Sequence, residues 1–534
     1  MQAQERHEAS PRRRALAPWC AFAALLALDL VLRFPSFFRS VIDWDETIYF
    51  MMAEAWRAGH LPYTTLWDIK PIGLFAIFAV FQTIFGDHVY AMRIASIVAS
   101  AATGFLLCLI LRRLDRAPGG PRWSFGLFGG IVYVLCSIFD GGISANAELF
   151  FAPFTSGAVL LALAPRWRAR PALQAFVAGL LIGVAGAVKY VALAEGLPVL
   201  MALLLAAGDA RGSLGRRLWT ALWPLVLGAA IPLLLPVPLY WLTGHLQDFL
   251  DNTVYSVLRR AEIGYPFHVG RALMAWVNQI RTLSPLYLAA AFLVLATLGR
   301  RDAGRPGFLG ARDALASAVI LSWLLAAFVG VASLQFRYVH YFLELLPPLA
   351  VATGWVAMRL LDGAGTRARA AVAAILALVL AAQLSSAASI EKETLKPVVN
   401  AKMPGIGWLR DGPAQIAAAI RPELAAHPGA ILYVFDYEPI LYHLARAVPP
   451  TRYAWPAYLV SRKLAQFSNI DVARAFDAIM AQKPYLIVVA RNTTWHSPED
   501  HTHVAYARIG PELAAHYELW KTFDEAWVYR RRAP

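Results

Sequence analysis

The hydrophobic pattern divides the chain at about residue 390. Before that point, apolar blocks of membrane-spanning length alternate with short polar joints. After it, apolar residues come in short runs among charges and prolines, and no block is long enough to cross a bilayer. The long blocks lie at 15–34, 88–111, 124–140, 147–164, 172–190, 191–207, 218–242, 283–299, 313–333, 339–360 and 368–388, and each predicts a transmembrane helix. A further run, 71–86, is short for a span. Beyond 390, ILYVFD (431–436), PYLIVVA (484–490) and AWVYR (526–530) predict strands, while 413–427 and 471–483 predict helices. The pattern gives a membrane domain over 1–390 and a small α/β domain over 391–534.

Arginine decides which joints share a side of the membrane. If 71–86 does not cross, Arg12–Arg14, Arg112, Arg113, Arg116, Arg122, Arg166, Arg168, Arg170, Arg211, Arg216, Arg217, Arg300, Arg301, Arg305, Arg367 and Arg369 all fall on one face. That is the cytoplasmic face by the positive-inside rule. If 71–86 crosses, nearly all of them lie outside. The run is therefore read as a helix at the outer interface, leaving about eleven spans. The first outer loop is then 35–87, the long loop 243–282 is also outer, and the α/β domain is periplasmic.

Composition narrows this picture. The chain has 534 residues, 58% hydrophobic and 16% charged, with a mean hydropathy of +0.51. That excludes a soluble protein of this size. The net charge of +14 does not indicate nucleic acid, because the arginines sit in the joints between apolar blocks. Cys20, Cys108 and Cys136 all lie inside apolar blocks, too scattered for a disulfide framework or a zinc site. The basic N-terminal residues and first apolar block lack a small-residue cleavage site, so that block reads as an uncleaved helix. Within it, Asp29 and Arg33 are spaced to pair on one helical face.

Chemistry concentrates on the outer side. The stretch 41–73 carries Asp43, Asp45, Glu46 and, before Pro71, Lys70. Residues 46–58 suit an interfacial helix with Asp45 as N-cap, stopped by Gly59 and Pro62. Capping alone does not require three adjacent acids. Further on, the outer side receives Asp140, Glu148 and Lys189, and QFRYVHY (335–341) places Arg337, His340 and Tyr341 at helical spacing. A carboxylate at the membrane mouth can take a proton from an acceptor, and nearby cations can stabilise a departing phosphate. Glu148, entering a span, is costly unless paired or functional. Lys189 at a helix end also fits simple snorkelling, and Arg337, His340 and Tyr341 also fit an interfacial belt. His245 and His268 read as solvated, while Tyr255, Arg259, Arg260 and Tyr265 can cover a bound donor.

Three motifs, DWDETIY, A-x-x-W-R-A-G-H-L-P-Y and WDIKPIG, resemble the first outer loop of the GT-C glycosyltransferases. The nearest types are the protein O-mannosyltransferase-like families and the lipid A aminoarabinose and galacturonic acid transferases. The resemblance implies Asp45 as base, with Glu46 beside it, and Lys70 on the donor phosphate. Pro71-Ile72 replaces the usual double proline. The resemblance continues at Arg93 in YAMRIAS, at Asn146 and Glu148 in SANAELF, and at Arg337, Tyr338, His340 and Tyr341.

Taken together, Asp45, Glu46 and Glu148 are the catalytic candidates. Lys70, Arg93, Lys189, Arg337, His340 and Tyr341 are candidates for the donor phosphate, and Asp43 and Asn146 for the acceptor. No cofactor is required by the spacing. A divalent metal ion on Asp45 and Glu148 is an open alternative. The expected partners are a polyprenyl-phosphate-linked sugar, membrane lipid, and a glycolipid, glycan or protein acceptor, at a bacterial inner membrane. The competing class is a transporter of lipid-linked sugars without transfer chemistry. Against it, the ionisable residues gather at one mouth rather than at the bilayer midplane on repeated broken helices.

Overall fold

The computed structural model describes residues 11–115, 122–206, 213–264, 267–298, 313–362, 365–399, 411–491 and 503–533. Arg116, Arg211, Arg300, Arg301, Arg305 and Tyr265 lie outside the described residues.

The protein is a polytopic helical membrane protein with a small C-terminal α/β unit. Eight described helices are long and apolar enough to cross a bilayer: Leu16–Phe38, Val89–Leu114, Pro171–Val188, Leu214–Leu242, Val269–Leu298, Ala314–Ser333, Val339–Asp362 and Thr366–Ile390. Four apolar helices are shorter: Ile72–Phe85, Trp123–Cys136, Ala147–Ala162 and Tyr190–Leu205. Every apolar block of the sequence thus becomes a helix. Ile72–Phe85, at 14 residues and ~1.5 Å per residue, falls short of the ~30 Å hydrocarbon layer.

One buried ion pair ties the first helix to the second loop. Arg33 Nε donates to Asp29 at 3.1 Å one turn earlier, and its guanidinium also meets Gly142 O and Ser137. Small residues set the closest helix approach. Gly179 and Gly183 of Pro171–Val188 face Leu214–Leu234, where an added Cβ would lie 2.1 Å from Leu225 O and 2.3 Å from Ala229 O. Lipid offers little hydrophobic drive for helix association, so such backbone contact carries the packing. This helix pair leads to Lys189 and walls an apolar groove.

Two sequence expectations change. The long loop expected at 243–282 is largely helical, and Val269–Leu298 is one helix kinked at Leu283, ahead of Pro285. Its first half is amphipathic, with Leu273, Met274, Val277 and Ile280 exposed, so a hydropathy window averages it away. The first-loop helix runs Trp44–Arg57, and its N-cap is Asp43, whose side chain accepts from Asp45 N at 3.1 Å. Its apolar residues Ile48, Tyr49, Phe50, Met51 and Met52 are buried in protein rather than laid against lipid.

The C-terminal unit covers that helix. Its sheet contains β1 (Leu432–Phe435), β2 (Leu486–Ala490), β3 (Tyr517–Thr522) and β4 (Ala526–Arg531) in the order β1-β2-β4-β3. β1 and β2 are parallel, with Leu432 opposite Leu486; the other pairs are antiparallel. Ile440, Leu441, Trp455 and Tyr458 pack in one core with Trp44, Phe50 and Met52 of the first loop. The helix beginning at Thr366 passes residue 390 and ends at Val399, so the change in composition falls within an element.

Candidate active site

The first-loop helix starts with a double cap. Asp43 takes the Asp45 amide, and Glu46 at the third helical position reaches back to Ile42 N at 2.7 Å. This reciprocal arrangement pins the helix start. It leaves Asp45, one residue inside, turned toward Lys70. Lys70 Nζ lies 3.1 Å from Asp45 Oδ2 and 2.8 Å from Tyr49 Oη, and the Tyr49 hydroxyl donates to the same carboxylate oxygen at 2.9 Å. Asp45 and Tyr49 are one helical turn apart, so one face holds both.

Lys70 is held from several directions. Asp68 accepts from Lys70 N at 2.7 Å, and Tyr63 donates its hydroxyl to Lys70 O at 2.7 Å. Tyr63 is fully buried at φ 69, a conformation that costs a bulky residue about 1–3 kcal/mol unless its surroundings fix it. The C-terminal unit supplies that fixing. Arg452 bonds Tyr63 O, Trp67 N donates to Arg452 O at 2.8 Å, and Ile69 N donates to Tyr458 Oη at 3.3 Å. Gly73 opens the next helix against the end of Pro171–Val188; a Cβ there would sit 2.6 Å from Ala187 O. That contact brings Lys70 and Lys189 to one cavity.

The cavity encloses about 420 Å³, and Lys70, Lys189, Arg260 and Tyr341 line it. Lys189 pairs with Glu148 and stands 4.3 Å from the centre of the Tyr341 ring. An adjoining apolar cavity of about 380 Å³ shares Pro71, Tyr190 and Val257 with it and continues along Pro232, Leu234, Val254 and Leu258. A cationic chamber therefore opens into an apolar groove. Asp43 lies at the edge of the acid cluster, 4.0 Å from His340 Nδ1.

The acids differ in their protonation. Burial would raise Asp45, but Lys70 and His340 hold it below the usual carboxylate range. Burial, and then the charge of Asp45, push Asp43 up to about 7. Burial likewise raises Asp68 to about 7 against the pull of Lys70. Burial works against the charge on Lys70, yet Asp45 and Asp68 more than offset it and raise its pKa.

No protein-family model matches the chain. The undecaprenyl phosphate-alpha-4-amino-4-deoxy-L-arabinose arabinosyl transferase of Pseudomonas paraeruginosa is 33% identical over 98 residues, which is 16% of this chain. The chain spans 18% of the length of the curated relatives it matches. Solved structures extend the likeness across nearly all of the chain. ArnT from Cupriavidus metallidurans, bound to undecaprenyl phosphate, matches with a TM-score of 0.54 and 15% identity, over 95% of this chain and 97% of that one. The oligosaccharyltransferase AglB from Archaeoglobus fulgidus, in complex with an inhibitory peptide and a dolichol-phosphate, matches at 0.50 and 12% identity, over 89% of this chain and 70% of that one. The chain shares the fold of these two membrane proteins.

On this fold the residues singled out in the sequence separate into groups. Asp45, Lys70, Lys189 and Tyr341 are brought to one place, with Glu148 behind Lys189 and His340 beside Asp43. Asn146 Nδ2 donates to Gly141 O at 3.0 Å and to Ser144 Oγ at 2.7 Å, shaping the second loop. Glu46 and Arg93 turn away from the cavity: Arg93 donates to both Glu46 oxygens at 2.5 and 2.7 Å, and Ala145 N adds a fourth donor at 2.8 Å. Arg337 is not among the residues lining the cavity. The helical spacing expected for it fails because Gln335 and Phe336 have positive φ and Tyr338 is extended, so the helix begins only at Val339.

For a divalent ion the donors do not fit as arranged. Asp45 and Glu148 each face a lysine, and no cluster of three His, Cys, Asp or Glu suited to a metal occurs among the described residues. Three site contributors escaped sequence reasoning: Tyr49, Asp68 and Tyr458. The first two sit inside the motifs themselves, where only their i,i+4 or i,i+2 distance from Asp45 and Lys70 marks them. Tyr458 lies hundreds of residues away and carries no local signal.

Proposed function

We propose that the protein is an inverting glycosyltransferase that moves a sugar from a polyprenyl-phosphate donor to an acceptor at the periplasmic face of a bacterial inner membrane. The observation that carries this reading is the Asp45–Lys70–Tyr49 cluster at a cationic chamber that opens into an apolar groove. The groove suits an isoprenoid chain, and Lys70, Lys189 and Arg260 suit its phosphate. The lipid phosphates bound by the two fold relatives support this donor class. Basic joints on one side of the bundle support the orientation.

Before donor binds, Lys70 neutralises Asp45. A donor phosphate competes for Lys70, and Asp45 is left free to accept a proton. The acceptor hydroxyl or amine then attacks the anomeric carbon as its proton passes to Asp45. The bond from that carbon to the phosphate oxygen breaks, and its electron pair leaves on the phosphate. Lys70, Lys189 and Arg260 stabilise the charge that develops there. One displacement with one base inverts the anomeric centre; retention would need a second carboxylate placed as nucleophile. Glu148 orients Lys189 and Tyr341 flanks it. His340, Asp43 and Asn146 border the acceptor side, and Glu46 and Arg93 position the helix that carries the base. The acceptor class is a lipid A or core sugar, an envelope glycan or a protein.

The test is transfer of label from a lipid-linked sugar in membranes carrying the protein. Wild type should form glycosylated product, and Asp45→Asn should retain donor binding while losing product. Label that crosses the bilayer without product in either form would instead establish a transporter.

A further inference from the structure

A second cavity, of about 820 Å³, lies at the seam between the first-loop helix and the C-terminal unit. It is distinct from the catalytic chamber. It uses Met51, Glu54, Ala55 and Ala58 of helix Trp44–Arg57, which at roughly 100° per residue lie on the side away from Asp45 and Tyr49.

Glu54 Oε1 pairs with His443 Nδ1 at 2.9 Å, and Arg57 pairs with Asp87 from outside the lining. Both acids of the lining are thereby engaged. Arg421, Arg446, His60 and His88 also line the cavity. Among the described residues none of these four side chains has an ion-pair or hydrogen-bond partner. Two guanidiniums and two imidazoles thus face a cleft whose remaining walls are mostly apolar. Arg446 is held at φ 56 as the C-cap of Ile440–Ala445, a conformation that bulky residues seldom adopt.

The cavity also reaches the start of a membrane-length helix. His88 directly precedes the spanning helix Val89–Leu114. Next to it the end of Ile72–Phe85 exposes Ile84 at 65% and Phe85 at 43%, and on the C-terminal side the lining residue Val448 is 83% exposed. Arginines and apolar walls in the lining, with exposed apolar side chains beside it, match one ligand chemistry. We propose that this cavity binds the phosphate headgroup of an anionic membrane lipid, with Arg421 and Arg446 on the phosphate and the first acyl carbons against Leu444 and Val448. Arginine suits this role by presenting paired donors to phosphate oxygens. The bound lipid ties the C-terminal unit to the leaflet beneath it.

The full chain in uncharged detergent tests this. The probes are a short-chain phosphatidylglycerol, the phosphatidylcholine of the same chains, and inorganic phosphate. Binding is read by thermal unfolding and by native mass spectrometry. Phosphatidylglycerol should raise the unfolding midpoint and remain as a bound adduct, and phosphatidylcholine should do neither. Arg421→Gln with Arg446→Gln should weaken phosphatidylglycerol binding at least tenfold, while the Lys pair Arg421→Lys with Arg446→Lys keeps most of it. Lys70→Gln should leave it unchanged, which separates this site from the donor chamber whatever becomes of the transferase reading. If the glutamine pair does not fold, Val448→Asp, at an exposed position, should weaken the same binding by repelling the phosphate. Equal binding of both lipids, or undiminished phosphatidylglycerol binding by the folded glutamine pair, overturns the proposal. Inorganic phosphate that matches phosphatidylglycerol at equal concentration overturns the lipid assignment.

Discussion

Asp45 and Glu46 are neighbours in sequence, carry the same charge and each meets one cation, yet they occupy opposite environments. The Asp45 side chain is 19% exposed and meets Tyr49 and Lys70, which itself lines a cavity. The Glu46 side chain is fully buried and receives four donors, from Ile42 N, Ala145 N and both terminal nitrogens of Arg93. A step of roughly 100° around the helix separates them. Four donors leave a carboxylate no capacity to accept a proton from anything else. A carboxylate with one displaceable lysine retains it. Saturation, more than charge or burial, separates the two acids.

The comparison breaks first at Asp45. Asp45→Asn keeps the shape and removes the base, so transfer should fall ~10²–10⁴-fold with the unfolding midpoint in detergent little changed. A variant that stays active within a few-fold would remove Asp45 from the proposed chemistry. Glu46→Gln should behave in the reverse way. It leaves Arg93 charged and buried without its partner, which costs about 3–5 kcal/mol. The expected readout is a lower unfolding midpoint and lower yield, with the folded fraction still turning over. Replacing both members, Glu46→Met with Arg93→Met, should recover much of that loss. If Glu46→Gln is as stable as wild type but inactive, the division between the two acids is wrong.

A smaller effect sharpens the same contrast through Lys70. Tyr458→Phe removes the hydroxyl that receives Ile69 N and frees one side of the Lys70 segment. Loss of one such bond is worth about 0.5–1.5 kcal/mol. Turnover should drop a few-fold, mainly through KM for the donor if Lys70 holds its phosphate. An unchanged KM with lower kcat would indicate that Tyr458 serves only the fold.

Most of the architecture was readable from hydropathy because membrane spans write their length directly into the chain. Trp123–Cys136 and Ala147–Ala162 also appeared as apolar blocks, although as helices they are shorter than the eight span-length ones. The register of the kinked helix Val269–Leu298 did not, since an amphipathic half averages to a polar score. β3 was missed because YELWKT exposes most of its residues at a sheet edge. At the site, Asp45 and Lys70 were legible as unexplained charges between apolar blocks. The pairings were not. Nothing local distinguishes Glu46, bonded to Arg93 forty-seven positions on, from Asp45, bonded to Lys70 twenty-five positions on. Tyr458 and Arg452 reach the loop only after the C-terminal unit has docked, a contact with no sequence periodicity.

The smallest effect tests the electrostatics between the two acids and Asp43. Asp43 sits near 7 in the folded chain against an ordinary 3.8, through burial and then the charge of Asp45. Between about pH 4 and pH 7 the native state therefore binds a proton that the unfolded state has released. Stability must fall as pH rises through that window. Asn caps a helix about as well as Asp, so Asp43→Asn should keep the Trp44–Arg57 helix start while removing this titration. Its unfolding midpoint should decline less steeply from pH 4.5 to 7.5 than that of wild type, with a residual slope from Asp68, which is raised in the same direction. Parallel slopes for the two proteins would show that Asp43 is already ionised in the native state. Asp45 would then share its negative field with a second full charge, and Lys70 alone could not account for holding it low.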